Sequence, residues 1–506
     1  MRLRSSLAVL VLSLAAASAG SAQPGLPAPA ELECELGQRA ATLAAAKESG
    51  DLTAVVAESR RLSALLLRLI AHLELAQGRP ERASESLRQA HGIEPDPMTA
   101  YALGTVLLRR GEKMEAREVF DHLLAGAGGR PELHLLIGNA YAATSEVEET
   151  IREFEAAAEG NPGLFRAHLN LAYAHLLLNA GQSTPATLAA LRAALAVAPT
   201  SYEANYYLGH LESLEKRYAE AAEHLRAAAA AQPRSADPWL QLGLNAFAAG
   251  DLEQAETLLL KGVGLGEEHG EDVKLLSRAY GAWSRVAASR GDLETGARYF
   301  ARARELEEKP AQDPPAAPPP GAEEARLAAL RERHRELADV LASVFNDWGT
   351  AAARGGDPAE ALRRYRDAER WNPSTPLLMR NLGLAALEAG DHEESVRALT
   401  AAAAAEPQDR SVQSLLAVAL SSAERWAEAA RAFDALGDVL FENPRTAYMW
   451  AAALARSGEP ARAREVLARL RALPLPPPAL EQLGELYREM GDHETALELF
   501  REAQAR

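Results

Sequence analysis

The residues best suited to chemistry in this chain are its histidines, and their spacing argues against catalysis. His392-Glu393 and His493-Glu494 begin like a zinc-protease motif. That motif needs two histidines four residues apart on one helix face, with the glutamate as base. Both sites lack the second histidine. Each pair follows an Asp just after a turn glycine, which marks the polar first turn of a helix. His168 and His175 lie seven residues apart on one expected helix, with His134 on the segment before. They fall on a packing face, which favours structural roles over metal ligation. No Gly-x-x-x-x-Gly-Lys-Ser/Thr loop is present to cradle a phosphate, and no Gly-x-Gly-x-x-Gly follows a strand. With 71 acidic residues in 506, no pair of carboxylates stands out. The expectation is a non-enzyme with no cofactor and no bound metal.

The elements that must position these side chains are helices throughout. Hydrophobic residues make up 48% of the chain but aromatics only 5%. Ala and Leu carry the apolar content, which favours closely packed helices over strands. At the start, Arg2 and Arg4 precede an apolar run from Leu7 to Ala17 and then small residues. This is the layout of a secretory signal peptide over residues 1–22, with an apolar run too short to span a bilayer. It predicts an exported protein, periplasmic or secreted. Cys34 is the sole cysteine, so no intrachain disulfide can form. The formal net charge of −17 repels nucleic acid and anionic lipid.

One spacing recurs: Gly, a small residue five positions later, a large apolar residue four after that, then Ala and Pro. Gly78, Ala83, Leu87, Ala90 and Pro95 fit it, as do Gly356, Ala361, Tyr365, Ala368 and Pro373. Gly390, Ser395, Leu399, Ala402 and Pro407 fit with Ser at the small position. Pro199 to Pro233 and Pro373 to Pro407 are each 34 residues apart. Gly at the turn admits positive φ, and the Asp after it in Gly250-Asp251, Gly291-Asp292 and Gly491-Asp492 starts the next helix. Small residues let two helices approach closely, and Pro stops the second helix. Trp239-x-x-Leu242-Gly243 with Ala255 and Leu259 resembles the tetratricopeptide repeat (TPR), as does Leu483-Gly484-x-x-Tyr487 with Ala496, Phe500 and Ala503. The resemblance implies an all-α, right-handed α–α superhelix of about twelve helix-turn-helix units.

The expected layout is a signal peptide (1–22), an N-terminal helical cap (23–63), a first array (64–308), a linker (309–322) and a second array (323–506). Six prolines between Lys309 and Gly321 forbid helix and mark the linker. A long loop within one continuous superhelix is the alternative. Leu327, Leu330, His334, Leu337, Leu341, Val344 and Trp348 then alternate spacings of three and four, a heptad seam broken by one histidine. The seam packs on neighbouring helices or, alternatively, forms a homodimer through Leu327, Leu330, Leu337, Leu341 and Val344.

The TPR resemblance implies a concave groove lined by the first helix of each unit. It places Tyr101, Asn139, Arg166, Tyr173, Tyr206, His210 and Phe247 there in the first array. Asn346, Arg380, Ser414 and Tyr448 are the second array's equivalents. Rings offer contact area and amides pair with peptide backbone, so the expected partner is an extended protein segment, basic or neutral in charge. The implied function is a protein-interaction scaffold outside the cytoplasm, with an accessory subunit regulating an envelope enzyme or secretion or assembly machinery, or a self-assembling structural protein, as alternatives.

Overall fold

The computed structural model describes residues 29–269, 273–308 and 321–505. The expected signal peptide and residues 309–320 of the expected linker lie outside the described residues. Among the described residues all regular structure is helical. Three helices come first: α1 (Pro29–Ser49), α2 (Leu52–Ala76) and α3 (Pro80–Ile93). Next are the pairs α4 (Pro97–Arg110) and α5 (Lys113–Gly126), α6 (Pro131–Ala143) and α7 (Val147–Gly160), and α8 (Phe165–Leu178) and α9 (Pro185–Val197). They continue as α10 (Tyr202–Leu214) and α11 (Tyr218–Ala231), α12 (Asp237–Ala249) and α13 (Leu252–His269), and α14 (Val273–Ser289) and α15 (Leu293–Glu308). Then come α16 (Ala322–Arg354) and α17 (Pro358–Trp371), α18 (Leu378–Glu388) and α19 (His392–Ala405), and α20 (Arg410–Ser422) and α21 (Trp426–Leu436). The last are α22 (Pro444–Arg456) and α23 (Pro460–Arg471), then α24 (Pro477–Glu489) and α25 (His493–Ala505). With α2 and α3 as a pair, twelve helix pairs are present among the described residues.

Local chemistry accounts for the pairs. Gly111 and Gly250 close α4 and α12 in the left-handed region, at φ 83° and 87°. Asp251, Asp292 and Asp492 each accept a hydrogen bond from the backbone N–H three residues on, at 3.0, 3.0 and 3.2 Å. His392-Glu393 after Asp391 and His493-Glu494 after Asp492 open α19 and α25 as first-turn residues. Within a pair the first helix offers a small residue to a large one 16 positions later. A Cβ at Gly104 would lie 2.3 Å from Phe120, and one at Gly349 would lie 2.7 Å from Tyr365. The Thr residues at two crossing positions are buried with their hydroxyls satisfied. Thr150 donates to Glu146 O at 2.8 Å, and Thr187 shares a bond with Thr184 at 2.9 Å.

The described residues form two compact units, one of residues 96–326 and one joining 29–95 to 327–506. This grouping differs from the division suggested by the prolines, because residues 64–95 belong with the C-terminal helices. The expected boundary at 63/64 also falls inside α2, which runs unbroken from Leu52 because no Gly or Pro interrupts it before Gly78. In the discontinuous unit, Leu62, Leu65, Leu66 and Ile70 of α2 share one core with Leu337, Leu341, Val344, Phe345 and Trp348 of α16. Each such side chain contributes roughly 1.5–3 kcal/mol when buried. Lys47 pairs with Asp347 at 2.7 Å and Arg333 with Glu33 at 3.2 Å.

The heptad seam, expected to pack on neighbouring helices or on a second copy, is largely covered within its own chain. Leu337, Leu341 and Val344 are buried inside their own chain, and Leu327 and Leu330 are half-buried, so no continuous seam faces a second copy. The odd histidine in the heptad has its own explanation: His334 Nε2 lies 3.4 Å from the buried Glu74 carboxylate.

Candidate partner-binding groove

In the unit of residues 96–308 the first helices of consecutive pairs touch one another: α4 with α6, α6 with α8, α10 with α12, and α12 with α14. Among the described residues no two second helices approach as closely. An array whose first helices converge while its second helices splay is curved, with the first helices on the inner side.

Polar and aromatic side chains bridge this inner side. Tyr101 Oη on α4 donates to Leu136 O on α6 at 3.0 Å. Asn170 Nδ2 on α8 donates to Asn139 Oδ1 on α6 at 3.0 Å. Asn245 Nδ2 on α12 donates to Ser213 Oγ on α10 at 2.7 Å, while Gln241 Nε2 donates to Asn245 Oδ1 at 3.1 Å. The Arg285 guanidinium on α14 lies 5.0 Å from the centre of the Phe247 ring.

The densest cluster is on α10. Tyr202, Tyr206 and His210 recur every fourth residue and therefore share one face. Tyr202 and Tyr206 lie parallel at 5.8 Å, and His210 continues the stack at 6.1 Å from Tyr206. Tyr207 meets Tyr206 edge-on at 5.8 Å and Tyr173 of α8 at 4.9 Å. The Tyr202 hydroxyl shares a hydrogen bond with Ser235 Oγ at 2.9 Å, which holds the outer end of the stack. Burial lowers the His210 pKa, with the Arg278 charge adding to it, although the neighbouring Gln241 amide pulls the other way. His210 Nδ1 is buried without a hydrogen-bond partner. Burial raises the hydroxyls of Tyr173 and Tyr207 far above the usual tyrosine range, so both stay neutral.

The structure sorts the expected groove residues into two groups. Tyr206, His210 and Phe247 are half-buried, Asn139 is half-buried in its amide pair, and Arg166 is exposed. Tyr101 and Tyr173 are core residues instead, 1% and 9% exposed. Tyr101 packs on Phe120 at 6.1 Å, its hydroxyl pushed up to about 12 by burial. Neither side chain is available to a partner without repacking. Tyr202, Asn170 and Arg285 join the face beyond the residues expected there, while Gln241 and Asn245, each 5% exposed, are buried beneath it. The four-residue spacing of Tyr202, Tyr206 and His210 is visible in the sequence and identifies their shared face. In the second array Asn381 donates to Asn346 Oδ1 at 3.1 Å, repeating the Asn139–Asn170 pair, and Arg380 lies 3.7 Å from Asp409.

Family models described as tetratricopeptide repeat match residues 68–131, 101–165, 346–398, 381–438 and 448–506, and a second such model matches 214–277. The chain belongs to the tetratricopeptide-repeat family. Its fold is accordingly an all-α TPR superhelix, and TPR membership marks it as a protein–protein interaction scaffold. No curated protein matches the chain. Among solved structures, a MamA protein is 22% identical over 38% of this chain and 100% of its own, with a TM-score of 0.32. MamA 41-end from Desulfovibrio magneticus RS-1 is 22% identical over 36% of this chain and 97% of its own, at 0.31. MamA MSR-1 is 19% identical over 36% and 98%, at 0.30.

Two of the histidines considered as ligands make contacts within the scaffold. His134 Nδ1 lies 2.7 Å from Glu153 Oε2, joining α6 to α7, and His168 Nε2 contacts Pro162 O at 2.9 Å. Among the described residues no three His, Cys, Asp or Glu side chains gather as metal ligands would.

Proposed function

We propose that this chain is an exported, non-catalytic scaffold that holds an extended segment of a protein partner along the inner face of residues 96–308. One observation carries the reading: the Tyr202–Tyr206–His210 stack lies on a first helix, half-buried and packed against Tyr207 and Ser235. Rigid aromatic groups lose little entropy on contact and dominate binding energy where they anchor a partner. Phe247 with Arg285, Arg166, and the Asn139–Asn170 amides extend the same side with groups that pair with peptide backbone. TPR proteins are generally non-enzymatic scaffolds, which supports the non-catalytic part. The acidic charge favours a neutral or basic segment.

Export is supported by Arg2, Arg4 and the apolar run that follows. Chain recovered from a periplasmic fraction should begin at residue 20 or 23, after one of the two small-residue sites. An intact Met1 in that fraction would contradict export by cleavage. The groove is tested by capturing partners from an envelope extract and remaking the captured segment as a peptide. A Tyr202→Ala/Tyr206→Ala variant should bind that peptide at least about tenfold more weakly, since anchor residues are worth ~1–2 kcal/mol or more each. Equal affinity in a folded variant would rule out this face.

A further inference from the structure

The unit of residues 29–95 and 327–506 contains an open cleft of about 570 Å³ among α2, α3, α16 and α17. Its existence depends on the length of α16, which runs 33 residues where the first helices α18 and α20 run 11 and 13. Arg79, Arg82, Arg331, Arg335 and Arg370 line it together with Trp371. Three carboxylates also line it, Glu74, Glu85 and Asp339, and all are engaged. Glu74 is 3% exposed and accepts from Ser86 Oγ at 2.8 Å, with His334 at 3.4 Å. Glu85 lies 3.3 Å from Arg88, and Asp339 accepts from Asn372 Nδ2 at 2.9 Å. Arg335 pairs with Glu332, and Arg370 lies 3.8 Å from Asp367. Arg79, Arg82 and Arg331 have no carboxylate within ion-pair distance among the described residues, whereas Arg333, Arg363, Arg364 and Arg366 nearby are all paired.

Three guanidiniums without an ion pair, Arg79, Arg82 and Arg331, therefore face one cleft in a chain whose net charge is −17, while Arg335 and Arg370 beside them are held by Glu332 and Asp367. Unpaired guanidiniums converging on one space repel each other, and a shared anion relieves that repulsion. The guanidinium fork matches phosphate and carboxylate in bidentate geometry, and the volume lies within the range of small-molecule sites. We propose that the cleft binds a small oxyanion carrying at least two negative charges, with Trp371 as a flat wall beside it. Phosphate esters and polycarboxylates share this chemistry. The site is separate from the groove proposed for a protein segment and does not depend on it.

The test is titration calorimetry on the full chain with two probes, inorganic pyrophosphate and citrate. Wild type should bind at least one, and the probe bound tells phosphate from carboxylate. Arg79→Gln/Arg331→Gln should weaken that binding at least about tenfold, or ~1.4 kcal/mol. Arg410→Gln, which removes an exposed charge from α20, should leave it unchanged. Arg82→Gln alone serves if the double variant does not fold by circular dichroism, with a smaller loss in the same direction. No heat with either probe would refute the proposal, and so would equal losses in the Arg410 and cleft variants.

Discussion

At the scale of single residues the fold depends on close approach. Gly104 lies in α4, where helix propensity alone predicts that Ala would stabilise by about 1 kcal/mol. Its Cβ would meet Phe120 at 2.3 Å in a buried contact, and overpacking costs roughly 1–3 kcal/mol. Gly104→Ala should therefore lower stability by up to about 2 kcal/mol in denaturant titration, and a gain would overturn this packing. Lys216 shows the reverse situation. It occupies the inter-helix turn at φ 63°, where pairs such as α4–α5 and α12–α13 place Gly and others place Ser145 or Glu424. Lys216→Gly removes left-handed strain worth about 1–2 kcal/mol, partly offset by added freedom in the unfolded chain. A net gain of up to about 1 kcal/mol is expected, and a loss would mean Lys216 makes contacts that outweigh its strain. For His210 the sign follows from burial. Its folded pKa lies below the unfolded value of about 6.5. The native state then binds fewer protons, and stability falls as pH drops below about 6.5. His210→Gln should lose less stability than wild type between pH 7.5 and 5.5, and parallel losses would exclude His210 as the cause.

At the scale of helices, the elements were legible and their neighbours were not. Gly-Asp turns, small crossing residues and terminal prolines act within a few residues, so twelve pairs could be read from the sequence. The partnership of α2 with α16 could not, because Gln77 donates to Leu330 O across 253 positions. A heptad seam specifies that an apolar face must be covered, not what covers it. Leu341 sits at the centre of this contact, 0% exposed. Leu341→Ala should cost about 2–5 kcal/mol. Light scattering on wild type should return the mass of one chain, and a dimer dissociated by Leu341→Ala would restore the seam as an interface between copies.

At the scale of the molecule, a curved array offers its inner face only where side chains remain partly solvated. That is why the groove was half legible. Tyr101 and Tyr206 are the same residue type on first helices, yet one packs against Phe120 and the other stacks on exposed-side neighbours. The difference lies in what faces each ring, Phe120 of the same helix pair for Tyr101 and the Tyr202 and His210 rings of its own helix for Tyr206. The central claim is that partners meet residues 96–308 on the inner side. The most direct test replaces Tyr206 on α10 with a photo-crosslinking amino acid, and in parallel Glu223, exposed on the second helix α11. A discrete cross-linked protein is expected from position 206 and none from 223. The same adduct from both positions, or from 223 alone, would contradict it.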